Sequence, residues 1–213
     1  MKSLPNLSME WISERPQLQN IPDNEIAKRA IEVALAGEHN LFIVFYPGSP
    51  GLQLAIATNG IATELGLHMK CTAVQSCVCG YYGSPEGQCR CNAKSLIRHY
   101  RNIFEEANEC DILIEATTPY STRIGESESN IIARIKGSRK RTVDTSITSS
   151  SCQSMIDLYV TDFDNSRLPN IERVAATIAR LEDVSRVGIH HVCEAIQYQM
   201  LWHQLPFQAS RST

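Results

Sequence analysis

The run LFIVFY at residues 41–46 constrains the fold more than any other stretch of the chain. Consecutive aliphatic and aromatic residues leave neither face of a strand polar, which is typical of a strand buried in a parallel sheet with helices on both faces. The pattern before it, PDNEIAKRAIEVALAGEHN, has apolar residues at helical spacing and a glycine near its end. The pattern after it, LQLAIATNGIATELG, predicts a helix over residues 52–65. We therefore predict an α/β fold.

The remaining patterns place two more strands in the first half of the chain and only helices in the second. Strands are predicted at LHMKCTAV (67–74) and CDILIEA (110–116), with the amphipathic helix AKSLIRHYRNIFEEANE between them. Beyond residue 116 we predict no strand and four helices, at residues 127–141, 150–162, 168–183 and 187–205. The predicted organisation is an N-terminal arm (1–20), an α/β domain (21–120), a C-terminal helical domain (121–205) and a tail (206–213).

Four of the eight cysteines cluster in one turn-rich loop, SCVCGYYGSPEGQCRC. The clustered residues, which form two C-x-C pairs, are Cys77, Cys79, Cys89 and Cys91. Four converging thiolates suit a tetrahedral structural Zn²⁺, which leaves no open position for catalysis. Free thiols and a pair of disulfides are the alternatives, since C-x-C is tighter than the usual knuckle spacing. The other four lie in apolar runs and are predicted to be core residues: Cys71, Cys110, Cys152 and Cys193.

The segment FYPGSPGLQLAIA at residues 45–57 has the rhythm of a phosphate-binding loop but lacks its lysine. In such loops glycines let backbone N–H groups surround the phosphates, a lysine reaches the terminal phosphates and a hydroxyl holds magnesium. Pro47, Gly48 and Ser49 are the candidate nucleotide contacts that remain here. Binding of ATP or ADP through this degenerate loop is kept as one hypothesis.

Three motifs resemble a known family. The stretch AKRAIEVALAGEHNLFIVFYPGSPGLQLA resembles the opening of the magnesium-chelatase-like AAA+ ATPases, the ComM or YifB group related to magnesium chelatase subunit I. CVCGYYGSPEGQCRC resembles the cysteine motif of that family at identical spacing, and RVAATIARLEDVSRVGIHHVCEAIQYQ resembles its C-terminal motif. Together they cover roughly residues 20–205. The resemblance implies a P-loop sheet, a zinc loop at 77–91 and a lid-like helical domain.

The same resemblance implies that the catalytic groups are gone. Aligned without gaps, Phe45 and Pro50 stand at two glycines of the phosphate loop. Gly51 stands at the lysine, and Leu52 stands at the hydroxyl that holds magnesium. The segment with the acidic Walker B strand is missing, and the arginine finger has no counterpart. Arg167 lies one position from the expected sensor arginine.

The missing segment explains how a smaller sheet could still form. In the AAA+ sheet that the resemblance implies, the strand order is 5-1-4-3-2, and the missing segment would hold strands 2 and 3. The remaining strands would form a contiguous three-stranded parallel sheet of order 5-1-4. LFIVFY is then central, and the strand predicted at 67–74 becomes a new edge with unpaired backbone groups.

These losses favour a non-catalytic, zinc-stabilised binding or assembly module over an ATPase. Phosphoryl transfer depends on positioning and electrostatics, so removing one charged group can lower its rate by several powers of ten. The expected partner is another protein or a second copy of the chain. A residual nucleotide-binding protein and a DNA-associated accessory protein of the ComM type are the alternatives.

Charge and hydropathy bear on partners and location. The net charge of −3 argues against sequence-blind binding of nucleic acid by the whole surface, although RIKGSRKR at residues 134–141 is locally basic. We interpret this run as a solvated helix end, with a nucleic-acid patch as the alternative. No stretch approaches the roughly 20 apolar residues of a membrane span, and the start lacks the apolar segment of a signal peptide. A cytoplasmic protein without membrane partners is expected.

Two adjacent histidines suggest a second metal site only at first sight. His190 and His191 lie on a predicted helix, where neighbouring side chains point about 100° apart. We therefore predict that they do not share a metal and that His191 packs within the last helix.

Overall fold

A strand with two buried faces lies at the centre of the sheet. In the computed structural model, β1 (Leu41–Phe45) pairs in parallel with β2 (Cys71–Gln75) on one side and with β3 (Ile112–Ala116) on the other. The strand order is therefore β2-β1-β3. This order confirms the predicted contiguous parallel sheet with LFIVFY in the middle and the second strand at an edge, and it is consistent with a reduced P-loop-like fold.

The structure describes residues 15–144, 149–162 and 165–205. Most of the predicted arm and all of the predicted tail therefore lie outside the described residues. The helices within the described ranges are α1 (Glu25–Gly37), α2 (Gly51–Glu64), α3 (Ala93–Asn108), α4 (Glu128–Ser138), α5 (Ser150–Asp162), α6 (Leu168–Leu181) and α7 (Ile189–Gln204). None of them is long and apolar enough to cross a membrane.

Local sequence sets several of these helix ends. Asn92 caps α3, since its side-chain oxygen accepts the Ser95 N–H at 2.8 Å. A left-handed residue, Glu38 (φ 54°), follows the last residue of α1. Pro169 lies in the first turn of α6, where its missing N–H costs nothing. The predicted helix at 127–141 is shorter than expected, since α4 ends at Ser138.

The second strand begins later than predicted, at Cys71 rather than at residue 67. Side chains bind the backbone of the preceding residues and so replace a strand partner. The His68 N–H donates to the Glu38 carboxylate at 2.7 Å, and the Lys70 N–H donates to the Asn40 side-chain oxygen at 2.9 Å. Residues 67–70 are therefore attached to the end of the sheet by side chains and are not part of β2.

Alternate residues of β1 face two different hydrophobic cores. Leu41 and Ile43 belong to the main core, to which all helices except α3 contribute. Phe42 and Val44 belong to a smaller core, which also contains Trp202 of α7. The main core includes helices from both halves of the chain. The C-terminal helices α6 and α7 therefore share one core with the sheet. The predicted division at residue 120 stays a prediction.

Two asparagine side chains cover the ends of the edge strands. The Asn59 amide, on α2, binds both the N–H and the carbonyl of Cys71 at the start of β2, at 3.0 and 2.8 Å. The Asn24 amide does the same for Thr117, just beyond β3, at 2.8 and 3.0 Å. Each amide thus takes the place of a neighbouring strand for one residue, which reduces the exposed backbone at both edges.

Candidate functional site

Three loops meet at the carboxyl ends of the strands. The β1–α2 loop carries the predicted phosphate-loop residues, the cysteine loop follows β2, and a third segment follows β3. A Cβ atom added at Gly80 of the cysteine loop would lie 2.9 Å from Pro47 Cγ, so the two loops are in direct contact. A Cβ added at Gly48 would lie 3.9 Å from the Thr118 methyl group, beyond β3. Sequence reasoning missed Thr118, which no motif marks.

The four predicted cysteines come together in space, with all four sulfurs within 4.8 Å of one another. The Cys77 sulfur lies 3.3 Å from that of Cys79 and 3.7 Å from that of Cys89. Disulfide sulfurs lie about 2.05 Å apart, and all of these cysteines are free thiols. Four sulfurs at Zn–S bonds of about 2.3 Å would be roughly 3.8 Å apart. The cluster can therefore hold a metal ion.

The sulfurs also receive backbone N–H groups, as metal-bound thiolates require from their surroundings. Backbone N–H groups of Arg90 and Tyr81 lower the pKa of the Cys79 thiol to about 6. The Cys91 N–H, 3.4 Å from the Cys89 sulfur, acts to lower the pKa of Cys89. Desolvation and the neighbouring sulfurs outweigh it and raise that pKa to about 12. Four adjacent thiols cannot all ionise alone, and a bound dication would stabilise the four thiolates together.

The loop that carries the cysteines is fixed to the sheet. The Ser76 N–H donates to the Phe45 carbonyl at 3.1 Å, extending the pairing of β1 and β2 by one bond. The Tyr100 hydroxyl of α3 donates to the Ser76 carbonyl at 2.5 Å. Gly80 (φ +85°) and Gly83 (φ +79°) adopt left-handed backbone that brings the two C-x-C pairs together.

Within the β1–α2 loop, the polar groups of Ser49 bind the loop itself. The Ser49 N–H and hydroxyl both donate to the Tyr46 carbonyl, at 3.0 and 2.9 Å. The Tyr46 N–H in turn donates to the Ser49 hydroxyl oxygen at 3.1 Å. Of the three predicted nucleotide contacts, Gly48 keeps the left-handed backbone of a tight loop (φ +86°). Pro47 packs against the cysteine loop.

Phe45 and Gly51 are packed against each other. A Cβ atom added at Gly51 would lie 2.3 Å from Phe45 Cβ and 2.8 Å from its Cγ. Any larger side chain at residue 51 therefore collides with Phe45 unless one of them moves. The next residue, Leu52, is 58% exposed and offers no metal ligand. The first turn of α2 thus has no side-chain cation or hydroxyl at the positions that the family resemblance assigns to lysine and the magnesium ligand.

One comparison with known proteins matches the part of the chain that contains the β1–α2 loop. Residues 17–71 match the family model described as magnesium chelatase, subunit ChlI. This segment is therefore similar to that family. It contains α1, β1, the loop at 46–50 and α2, and it ends at the first residue of β2. No curated protein matches the chain.

The arginine near the expected sensor position is buried between α7 and the chain that leads into β3. Arg167 is only 2% exposed. Its guanidinium donates to the Gln199 side chain at 2.9 Å and to the Cys110 carbonyl at 2.5 Å, and it lies over the Trp202 ring at 4.9 Å. Burial lowers its pKa. These contacts join α7 to the start of β3 and give Arg167 a structural role.

Most cations of the basic run at 134–141 are paired. Arg134 contacts both Glu32 and Glu126, at 2.6 and 2.5 Å. Arg139 pairs with Glu38 at 2.5 Å, and Arg141 pairs with Asp183 at 2.8 Å. Paired arginines attract phosphate backbones less than free ones. This pairing removes support from the nucleic-acid interpretation of the run.

The two adjacent histidines converge, contrary to the prediction. Their ring centroids are 3.8 Å apart, and both Nε2 atoms lie 3.1 Å from the same Glu182 oxygen. The prediction considered only the directions of the Cβ atoms, whereas an imidazole reaches far enough to bend back toward the α6–α7 turn. His191 Nδ1 accepts the Gly188 N–H at 2.7 Å, so its neutral form carries the proton on Nε2 and donates to Glu182. This proton occupies the position that a metal would need.

Proposed function

We propose that this chain is a non-catalytic binding or assembly module on the frame of a magnesium-chelatase-like AAA+ ATPase. The observation that carries the proposal is the contact between Phe45 and Gly51. A lysine at residue 51 would have to pass through the space that Phe45 fills. Phe45 in place of a family glycine and Gly51 in place of the family lysine therefore fit each other. The loop has no room for the lysine that phosphate transfer needs.

The other groups of the loop support the same conclusion. ATP hydrolysis needs fixed charges and a magnesium ion around the γ-phosphate. Here the Ser49 hydroxyl is hydrogen-bonded to the Tyr46 carbonyl, and Leu52 stands where the resemblance requires a hydroxyl that holds magnesium. Removing even one such charged group can cost several powers of ten in rate, and here several are missing. We therefore propose that the chain does not turn over ATP.

We further propose that the metal of the cysteine cluster is zinc and that its role is structural. Thiolate ligands select soft or borderline ions, and a tetrahedral set of four sulfurs is typical of structural zinc. With four protein ligands there is no open position for water or substrate. The metal would join the two ends of a long loop that packs on Pro47.

Exposed apolar side chains near the carboxyl ends of the strands support a protein-binding role. Leu52, Val78 and Tyr120 follow the ends of β1, β2 and β3, and they are 58%, 70% and 86% exposed. Val78 lies between two of the cysteines, so a bound metal would fix its position. Such side chains at one end of a sheet favour a partner with an apolar surface, either another protein or a second copy of the chain.

Two measurements on the purified full chain test the proposal. Elemental analysis should find about one zinc per chain in the wild type and in Cys193→Ser, and little in Cys77→Ser. An assay with ATP and magnesium should find no turnover above the buffer rate. ATP turnover that a Gly48→Ala substitution abolishes would contradict the non-catalytic role. Absence of metal from the wild type would contradict the zinc site.

Residual nucleotide binding without hydrolysis is the second candidate, because Gly48 keeps its loop conformation and α2 starts directly after the loop. The N–H groups of a first helical turn lack partners within the helix and favour anions. A cavity of about 420 Å³ beside Gln53, bounded also by Arg15 and Ile21, offers room for part of a ligand. Calorimetry with millimolar ATP and ADP tests this candidate. Absence of both heat and a thermal shift would exclude it.

A further inference from the structure

A pocket rich in arginine lies at the opposite end of the sheet from the phosphate loop. It has a volume of about 450 Å³. His39, just before β1, forms one side, and Arg141 and Val143 form a second. Arg173 and Arg180, on α6, form the third. Because His39 precedes β1, this pocket is at the amino ends of the strands, away from the cysteine cluster.

The cations of this pocket are unequally neutralised. Arg141 pairs with Asp183 at 2.8 Å, and Arg173 pairs with Asp111. In the described part of the chain, Arg180 has no carboxylate partner, and its guanidinium binds only the Thr177 hydroxyl oxygen, at 2.9 Å. One positive charge is therefore left over in a concave, half-buried place.

Burial opposes that charge, since desolvation and the nearby Arg139 lower the pKa of Arg180. Arg139 itself is paired with Glu38. A guanidinium stays protonated at neutral pH, so the cost of holding Arg180 without a counter-ion remains in the free protein. An anion bound in the pocket would remove this cost.

The floor of the pocket is a fixed polar network. His39 and Thr177 are 4% and 1% exposed, and His39 Nε2 lies 2.8 Å from the Thr177 hydroxyl oxygen. The Thr177 hydroxyl donates to the Arg173 carbonyl at 3.1 Å, so it accepts from Arg180. A Cβ at Gly37 would lie 2.2 Å from His39 Nε2, so the absence of a side chain there lets the imidazole fold over the floor.

We infer that this pocket binds a small ligand that carries an oxyanion, a phosphate or a carboxylate, against Arg180. The planar guanidinium matches both groups through two parallel hydrogen bonds. The volume is that of a small-molecule site, and Val143 and Ala176 give it an apolar wall for the rest of the ligand. This pocket is separate from the proposed metal centre. The test of the pocket therefore does not depend on whether the cysteine cluster binds metal.

The test uses calorimetry and thermal unfolding of the full chain with three probes. Inorganic phosphate, phenyl phosphate and benzoate are compared in buffers matched in ionic strength with chloride. Binding should be measurable for phosphate, and tighter for phenyl phosphate because its ring can use the apolar wall. Stronger binding of benzoate than of phenyl phosphate would assign the ligand to the carboxylates, still within the proposal.

Variants assign the binding to this pocket. Arg180→Gln should weaken binding by roughly tenfold or more, and Arg180→Lys, which keeps the charge without the planar fork, should weaken it less. Arg98→Gln makes the same change at an exposed position on α3 and should leave binding unchanged. Circular dichroism and the melting temperature without ligand confirm that each variant is folded.

Two outcomes would overturn the inference. In the first, none of the three probes binds the wild type at millimolar concentration. If a single-stranded DNA oligonucleotide then still binds in an Arg180-dependent manner, the pocket is part of a surface for a polyanion instead. In the second, Arg180→Gln and Arg98→Gln bind the probes equally well.

Discussion

The two ends of the sheet differ in their chemistry. At the carboxyl ends of the strands, where P-loop proteins hold phosphate, the loops carry thiols, prolines and exposed apolar side chains. The loop at 46–50 contains no cation at all. At the amino ends, three arginines surround one pocket above a floor of His39 and Thr177. The anion-binding groups therefore lie at the end of the sheet where this architecture does not normally place them.

This difference shows which parts of the frame are needed for folding and which are not. The sheet, α1 and α2 need only apolar packing and backbone pairing, so they persist with an altered loop. The carboxyl end is held instead by contacts between loops, such as that of Gly80 with Pro47. With a metal bound to the four cysteines, we expect the stability of that end to depend on the metal, whereas the stability of the amino end should depend on ion pairs.

The largest expected effect breaks the carboxyl end. Cys77→Ser removes one of four converging thiolates, and loss of a structural metal should lower the free energy of unfolding by roughly 4 kcal/mol or more. Cys193→Ser changes a half-buried cysteine of α7 outside the cluster and should cost much less. Urea unfolding with and without a chelator measures both. Equal stability of the two variants, unaffected by chelator, would contradict a structural metal.

A smaller effect tests the packing that closes the phosphate loop. Gly51→Ala places a methyl group 2.3 Å from Phe45 Cβ, so we expect it to destabilise the protein by about 1–3 kcal/mol. Phe45→Gly, which takes away the Cβ atom as well as the ring, should remove the collision, so the double variant should be less destabilised than the two single effects summed. Gly137→Ala is the matched control, since a Cβ there meets no atom within 4 Å. It should stabilise α4 by roughly 0.5–1 kcal/mol.

If the changes in the free energy of unfolding of the two single variants add up to that of the double variant, Phe45 and Gly51 are not coupled. Urea unfolding measures all three. A second double variant, which combines Phe45→Gly with Gly51→Lys, sharpens the comparison further. If nucleotide binding appears only in that variant, the contact between these residues is what closes the loop. If Gly51→Lys alone binds nucleotide, Phe45 does not block the site.

The sequence predicted the parts of the molecule that local patterns determine. The apolar run at 41–46 fixed the central strand, and paired C-x-C motifs in a glycine-rich loop fixed the cysteine cluster. The contact of Phe45 with Gly51 could not be predicted as a pair, because it depends on the angle at which α2 leaves the sheet. The pocket around Arg180 joins residues near 37, 141 and 177, and no local pattern connects them. The convergence of His190 and His191 depends on rotamers and on Glu182, which lies before their helix.

The smallest expected effect tests the ion pairs at the amino end, through the pH dependence of stability. Asp111 is buried beside Arg173 and His39, with its Oδ2 3.5 Å from His39 Nδ1. Burial acts to raise the pKa of Asp111, but the His39 hydrogen bond and the charge of Arg173 outweigh it and lower the pKa. A carboxyl with a lower pKa in the folded state stabilises the protein above its unfolded pKa, near 3.9, and loses this contribution as pH falls through the folded value.

Asp111→Asn should therefore cost about 1–3 kcal/mol at pH 7, and the gap to the wild type should narrow as the pH falls below about 4. Asp183→Asn, which breaks an exposed pair with Arg141, should cost less than about 1 kcal/mol. Urea unfolding at pH 7, 5, 4 and 3 gives the gap for each variant. A gap for Asp111→Asn that stays constant down to pH 3 would mean that its charge does not stabilise this end of the sheet. The amino end would then owe its stability to apolar packing rather than to this buried charge.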